Sequence, residues 1–269
     1  MLTFAKAHAY GNDFLYVPAV EVSGVNLAQL AREICDRQTG VGADGLILYE
    51  QGASVVRMQL HNSDGGVAEV SGNGVRGLAA LVLDDEVGER SEVTVRTAAG
   101  DKHLVRLSRA GRRQKFVSAM GRPKDLRRVE LAVDDEVLHA VALDMGNPQC
   151  VILGPLPDDQ RFARVGGRLE HHSFFPAGTN VEFVHVVAPD RLEIRIWERG
   201  CGPTQSSGTG SCASLVAAAA FGGAARDAEV VAPGGAQRVE WRDDGVYLTG
   251  WAEVVCRGTW LRPLPANEP

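Results

Sequence analysis

Apolar positions along the chain recur at two periods. From residue 74 to about 84, Val75, Leu78, Ala79, Leu81 and Val82 fall at helical spacing before the run turns polar at Asp84-Asp85-Glu86, which predicts a helix. Cys212, Leu215, Val216 and Ala217 to Ala220 are small and apolar on all sides, the pattern of a helix enclosed by other elements, and Phe221-Gly222-Gly223 supplies its stop. A third helix is predicted over Leu27 to Arg37, with a counterpart over roughly Arg161 to His171. Much of the rest is short and β-like: residues 55 to 60, 93 to 97, 103 to 107, 128 to 132, 136 to 144, 181 to 187, 192 to 197, 237 to 241 and 252 to 257. Each half of the chain therefore reads as strands around one central helix.

The two halves also resemble one another in their glycines. Gly11-Asn12 returns as Gly146-Asn147 at an offset of 135, and Gly42-Ala43-Asp44 returns as Gly178-Thr179-Asn180 at 136. Ser71-Gly72-Asn73-Gly74 returns as Ser207-Gly208-Thr209-Gly210, again at 136, with Gly66 and Gly202 in the same register. One such match is weak in a chain with 31 glycines, but three in order, half a chain apart, indicate a duplication. The expected fold class is α+β: two pseudo-symmetric lobes, each a β-strand barrel or sheet wrapped around a central α-helix. The lobes are placed at residues 1–125 and 126–269, with C-terminal strands that could cross back to the first lobe.

Composition narrows the function. The 269 residues are 45% hydrophobic, enough for a real core. A net charge of -6 without a Lys/Arg-rich run offers no electrostatic footprint for nucleic acid or an anionic membrane, which favours a small-molecule partner. The N-terminus has no signal-peptide pattern and no apolar run approaches membrane-spanning length, so a cytoplasmic protein is expected. Cys35, Cys150, Cys201, Cys212 and Cys256 are widely spaced, without a C-x-x-C pair or nearby histidines; reduced thiols are expected, with neither a disulfide framework nor a metal site.

The duplicated Ser-Gly-x-Gly turns are the candidate chemistry. A helix start presents unpaired N–H groups and the positive end of the macrodipole, and glycine lets an anion approach the backbone closely. The simpler alternative is that Ser71 and Ser207 only cap their helices. A phosphate loop is disfavoured because neither turn carries its lysine, and neither serine lies in a nucleophile elbow. His8, His61, His103, His139, His171, His172 and His185 individually read as solvated or strand-face residues.

Taken together, these segments resemble the diaminopimelate epimerase family nearly end to end. The resemblance rests on Phe4 to Phe14, Asp36-Arg37 through Gly45, Asn62-Ser63-Asp64-Gly65 through Arg76, Met145-Gly146-Asn147-Pro148, Gly178-Thr179-Asn180-Val181, Glu198-Arg199-Gly200, Thr204 through Cys212, and Pro233-Gly234-Gly235. It implies two homologous lobes with the site in the cleft between them. It also implies epimerisation of LL- to meso-diaminopimelate, an amino acid with two carboxylates on the route to lysine and the cell wall, by two cysteines and without pyridoxal phosphate, metal or other cofactor. By motif, Gly72, Asn73, Gly208 and Thr209 would hold the reacting α-carboxylate. Asn62, Asn147, Asn180 and Arg199 would hold the distal carboxylate, Glu198 the distal ammonium, and Asn12 would line the same cleft. The alternative for Glu198-Arg199 is an ordinary surface pair.

This chain departs from the family at the centre of its chemistry: Ser71 and Ser207 stand where the resemblance places the two catalytic cysteines. A helix start can lower a thiol pKa into the useful range, whereas a serine hydroxyl needs an adjacent base. Gln149 stands where histidine is usual and Pro203 where glutamate is common, while Cys212 matches a second, non-catalytic family cysteine. Three readings remain open: an epimerase whose thiols have been replaced by serine, a divergent paralogue isomerising another acidic substrate, and a catalytically silent amino-acid-binding homologue. A homodimer is compatible with all three.

Overall fold

The structure, a computed structural model, describes residues 1–85 and 91–266; Glu86, the last residue of the predicted polar turn, lies outside them. The chain divides into two compact units, Met1–Ser118 with Trp251–Pro269, and Ala119–Gly250.

The first unit contains β1 (Leu2–Ala9), β2 (Asn12–Pro18), α1 (Leu27–Cys35), β3 (Gly45–Gln51), β4 (Val55–Asn62), β5 (Val67–Ala68), α2 (Gly72–Asp85), β6 (Glu92–Thr97), β7 (Gly100–Ala110) and the start of β8 (Arg113–Gly121). The end of β17 (Gly245–Trp260) joins it, pairing with β1 from Leu2↔Trp260 to His8↔Glu253. Neighbouring strands are antiparallel except β2 with β3 and β4 with β6. A parallel pair needs a crossover connection, and α1 and α2 occupy those two crossovers.

The second unit repeats this grammar. It contains β9 (Lys124–Val133), β10 (Glu136–Asp144), β11 (Pro148–Leu153), α3 (Asp159–Glu170), β12 (Asn180–Ala188), β13 (Arg191–Glu198), β14 (Gly202–Thr204), α4 (Gly208–Phe221), β15 (Asp227–Ala232) and β16 (Gly235–Arg242). The parallel pairs are again the second with the third strand of the repeat, β11 with β12, and the pair spanning the central helix, β13 with β15.

Strand alternation gives each sheet two cores. In β2, Phe14 and Tyr16 pack with Leu78 and Leu81 of α2, whereas Leu15 and Val17 pack with Leu30 and Ile34 of α1. In the second unit Val184, Ile194 and Ile196 face α4, while Val181 and Phe183 face Phe162 and Val165 of α3. α2 and α4 are thus enclosed helices, α4 buried continuously from Gly208 to Ala218, and α1 and α3 are amphipathic outer helices. Each fully buried leucine contributes about 1.5–3 kcal/mol, so these inner layers hold the units together.

The repeat does not keep a single offset, and the change matters around the third strand of each repeat. Gly42 and Gly178, both at positive φ (79° and 74°), keep the offset of 136. In the following strands, however, Gly45 lies opposite Phe14 and Asn180 opposite Gln149, an offset of 135. A one-residue slip turns every side chain to the other face, so the structural mate of Asn180 is Gly45 rather than Asp44, and that of Glu182 is Ile47.

Candidate functional site

Both Ser-Gly-x-Gly turns start the enclosed helices, and both serines cap them. The Ser71 Oγ accepts the Gly74 N–H at 3.1 Å, and the Ser207 Oγ accepts the Gly210 N–H at 3.2 Å. Capping by acceptance leaves each hydroxyl hydrogen available for another partner. Gly72, Asn73, Gly208 and Thr209 occupy the first two helical positions, whose N–H groups have no partner within a helix.

In the first unit the helix start is tied to the β1–β2 turn by a directional chain. The Arg76 Nη2 donates to the Asn73 Oδ1 at 2.6 Å, the Asn73 Nδ2 to the Asn12 Oδ1 at 3.2 Å, and the Asn12 Nδ2 to the Asp44 Oδ2 at 2.7 Å. Arg76 is wholly buried and lies over the Tyr10 ring, so it dictates which way the Asn73 amide points. Asp44 also accepts from Arg37 at 2.8 Å. Arg37 and Lys6 hold Asp13 at 2.7 and 2.9 Å. Burial raises the Asp13 pKa, but these two cations outweigh it and keep the carboxyl below its usual range. Asn62 ends β4, half-buried, its N–H bonded to the Gly66 carbonyl at 2.8 Å.

In the second unit the matching pair is Asn147 with Thr209: the Asn147 Nδ2 reaches the Thr209 Oγ1 at 3.4 Å. The fully buried Gln149 donates from Nε2 to the Asn147 Oδ1 at 2.6 Å; it heads this chain of bonds as Arg76 heads the first, but acts on the turn asparagine rather than on the helix start. The Asn180 side chain accepts the Arg199 N–H at 2.9 Å and donates to the Pro148 carbonyl at 3.2 Å. Asn180 therefore acts on the backbone before it can act on a ligand. The Arg199 guanidinium donates to the Ala177 carbonyl at 3.0 Å, and its Cδ would lie 3.0 Å from a Cβ on Gly178, a close approach that only glycine allows at that positive φ. Glu170 braces the same corner, accepting the Trp197 Nε1–H and the Gly200 N–H, both at 2.7 Å. Glu198 ends β13 opposite Gly202. Cys212 is buried inside α4 and Cys201 is exposed.

The sequence reading missed Arg76, Gln149 as a hydrogen-bonding partner, and Glu182. Glu182 is fully buried on β12 between Val181 and Phe183. Burial, and then the Glu198 charge, push its carboxyl pKa far up. Its available signal was a lone acid in an otherwise apolar strand. Among the described residues no cluster of His, Cys, Asp or Glu is arranged to hold a metal ion, and no helix is long and apolar enough to cross a membrane.

This architecture, two like units each winding strands around a helix that starts at a glycine-flanked turn, is a fold shared with solved racemases and epimerases. A probable proline racemase from Agrobacterium radiobacter K84 shares the fold with a TM-score of 0.76 at 15% identity, over 97% of this chain and 93% of the other. The profile of the diaminopimelate epimerase family matches residues 4–125 and 141–255. A diaminopimelate epimerase of Desulforudis audaxviator is 41% identical over 97% of this chain and 100% of its own length, and that of Heliobacterium modesticaldum 38% identical over 96% and 99%. The chain belongs to the diaminopimelate epimerase family and is an isomerase of that type.

Proposed function

We propose that this protein binds diaminopimelate in the cytoplasm and transfers protons at its α-carbon without a cofactor, using helix starts in which serine replaces both catalytic thiols. The observation that carries the reading is a side-chain bond at matching places in the two units: Asn73 donates to Asn12 and Asn147 donates to Thr209, so each capped helix start is tied to an asparagine of the preceding strand turn, though with the donor on opposite sides. Gly72, Asn73, Gly208 and Thr209 would stabilise negative charge developing at the α-carboxylate, as oriented N–H donors do for an oxyanion. Arg199 suits a distal carboxylate through its planar fork, and Glu198 beside it suits a distal ammonium. Asn62 and Asn147 complete the distal set, and Asn180 supports it by holding the Arg199 backbone in place.

The serines set the rate. Each hydroxyl is a far weaker acid than a thiol, so α-proton exchange by the unaltered chain should be very slow. The test combines calorimetry with deuterium incorporation. Diaminopimelate should bind, and Arg199→Ala should weaken it roughly tenfold to hundredfold, the equivalent of about 1.5–3 kcal/mol for a charged hydrogen bond. Ser71→Cys with Ser207→Cys should raise exchange by orders of magnitude, while either single change should give little net inversion. Equal affinity for alanine would remove the distal-site assignment. A restored double variant that binds diaminopimelate but exchanges nothing would transfer the reading to a paralogue with another acidic substrate, for which Gln149, bonded to Asn147 at 2.6 Å, is the supporting observation.

A further inference from the structure

We infer that Glu182 holds and returns the proton used at Ser207, acting through the Ser207 hydroxyl as a positioning residue for proton transfer. The inference rests on the diaminopimelate reading and extends it to a residue outside the duplicated motifs.

Register brings Glu182 to the serine. It lies opposite Val151 on β11 and Ile196 on β13, so its side chain shares the face of those residues, which pack against α4. Neither carboxyl oxygen has a hydrogen-bond partner among the described residues. A Cβ on Gly210 would stand 2.8 Å from the Glu182 Oε1 and 3.2 Å from the Ser207 Oγ, so the two oxygens lie within 6.0 Å of each other, across a gap left open by a glycine.

The first unit shows that the fold does not require an acid here. At the matching place, a Cβ on Gly74 would meet the Ile47 Cδ1 at 2.8 Å and the Ser71 Oγ at 3.5 Å. An apolar side chain fills the same position under the same kind of helix start, so the carboxyl under Ser207 serves something other than packing. The two hydroxyls are thereby unequal: Ser207 has an acid behind it and Ser71 has an isoleucine.

The groups around Glu182 keep it protonated. Glu198 on β13 opposes its ionisation, and Cys150 on β11 is itself a buried thiol whose pKa is pushed up, first by burial and then by Glu182. α4 brings no charged side chain, its sequence from Gly208 to Phe221 containing none. A neutral carboxylic acid is the form that can give a proton. Because the two oxygens are not hydrogen-bonded to each other, the transfer runs through one water in the gap beside Gly210: the Ser207 O–H proton passes to the substrate α-carbanion, the water gives a proton to the Ser207 oxygen and takes the Glu182 proton, leaving the C–H bond formed, the hydroxyl and the water restored and Glu182 as carboxylate. In reverse, the α-proton goes to the Ser207 oxygen while the hydroxyl proton returns to Glu182 through the same water.

Glu182→Gln keeps the shape and removes the proton, and Glu182→Ile copies the first unit. The full-length protein and both variants are incubated with diaminopimelate in deuterium oxide across a pH series, with α-deuterium read by mass spectrometry and affinity by calorimetry. Both variants should bind as the unaltered chain does, exchange at least about tenfold more slowly, and lose the pH dependence of the rate. Difference infrared spectra of the unaltered chain against Glu182→Gln, without ligand, should show a carboxylic-acid carbonyl band at neutral pH. Exchange at an unchanged rate and pH profile in Glu182→Gln overturns the relay, as does unchanged exchange in Ser207→Ala or the absence of the carboxylic-acid band. A chain that binds diaminopimelate but exchanges no faster than free solution also overturns the relay and leaves the binding reading intact. Failure to bind diaminopimelate is read by calorimetry alone and removes the substrate assignment, and the relay with it.

Discussion

Glu182→Gln also tests the burial physics through folding stability. The carboxyl is fully buried, both oxygens lack partners among the described residues, and Glu198 adds like charge, so the folded chain holds this proton to a higher pH than the unfolded chain does. Below the ordinary glutamate range both states are protonated and the residue contributes no pH dependence. Between that range and the raised native value the unfolded state has released the proton and the folded state has kept it, so stability falls as pH rises. The slope inside this window is about 1.4 kcal/mol per pH unit. Two units thus remove about 2.7 kcal/mol, a large share of the roughly 5–15 kcal/mol that holds a typical protein folded. Glutamine has nearly the same volume and no proton to release, so the variant should lack this slope. Titrating groups remote from position 182 are common to both proteins and cancel in the difference, which leaves Glu182 and its neighbours Glu198 and Cys150. Urea unfolding of the two proteins between about pH 5 and about pH 8 should give curves that separate with rising pH, with the glutamine variant gaining on the parent. Parallel curves, or a gap that widens toward acid, would refute the claim that Glu182 is buried as a neutral acid.

The caps and the close approaches give further tests. Ser207→Ala and Ser71→Ala each remove a hydroxyl that accepts a third-position N–H, and each should cost about 1 kcal/mol in denaturant unfolding, whether or not the hydroxyl takes part in proton transfer. Gly166→Ala would set a Cβ 2.9 Å from the Trp197 ring, and overpacking of that kind should cost about 1–3 kcal/mol, with a change in tryptophan fluorescence as Trp197 is pushed off Glu170. Asp13 should stabilise the fold above the ordinary aspartate range and lose that contribution as pH falls through its lowered native value. Asp13→Asn should therefore flatten the acid limb of the stability profile, and an unchanged limb would show that Arg37 and Lys6 contribute nothing through it.

Much of this protein was legible in one dimension. The 3.6-residue pattern over Val75 to Val82 and the all-apolar run from Cys212 identified the two enclosed helices, because a helix surrounded by strands must be apolar on every face. The duplicated glycines identified the pairing of halves, and the motifs identified the family. Strands such as β2, β3 and β11 escaped the period-2 reading because they are buried on both faces and run as continuous apolar segments without alternation. The helix starts came out longer than the apolar pattern implied, since Gly72 and Gly208 are helical for reasons of capping rather than burial periodicity.

What the sequence alone determined was therefore local or repetitive: helix faces, cap residues, the two serines and the order of the motifs. What only the tertiary structure decided was which polar atoms meet. The Arg76–Asn73 and Gln149–Asn147 bonds are local, but that Asn73 meets Asn12, that Asn147 meets Thr209 and that Asn180 bonds backbone groups are consequences of how distant elements are brought together. A one-residue change of offset, invisible in a glycine count, turns Glu182 rather than its neighbours toward α4. A buried acid in an apolar strand reads from sequence as an exception; its meaning depends on the open side of Gly210 and on Ser207 beyond it, which are brought to it by a pairing that local propensity does not encode.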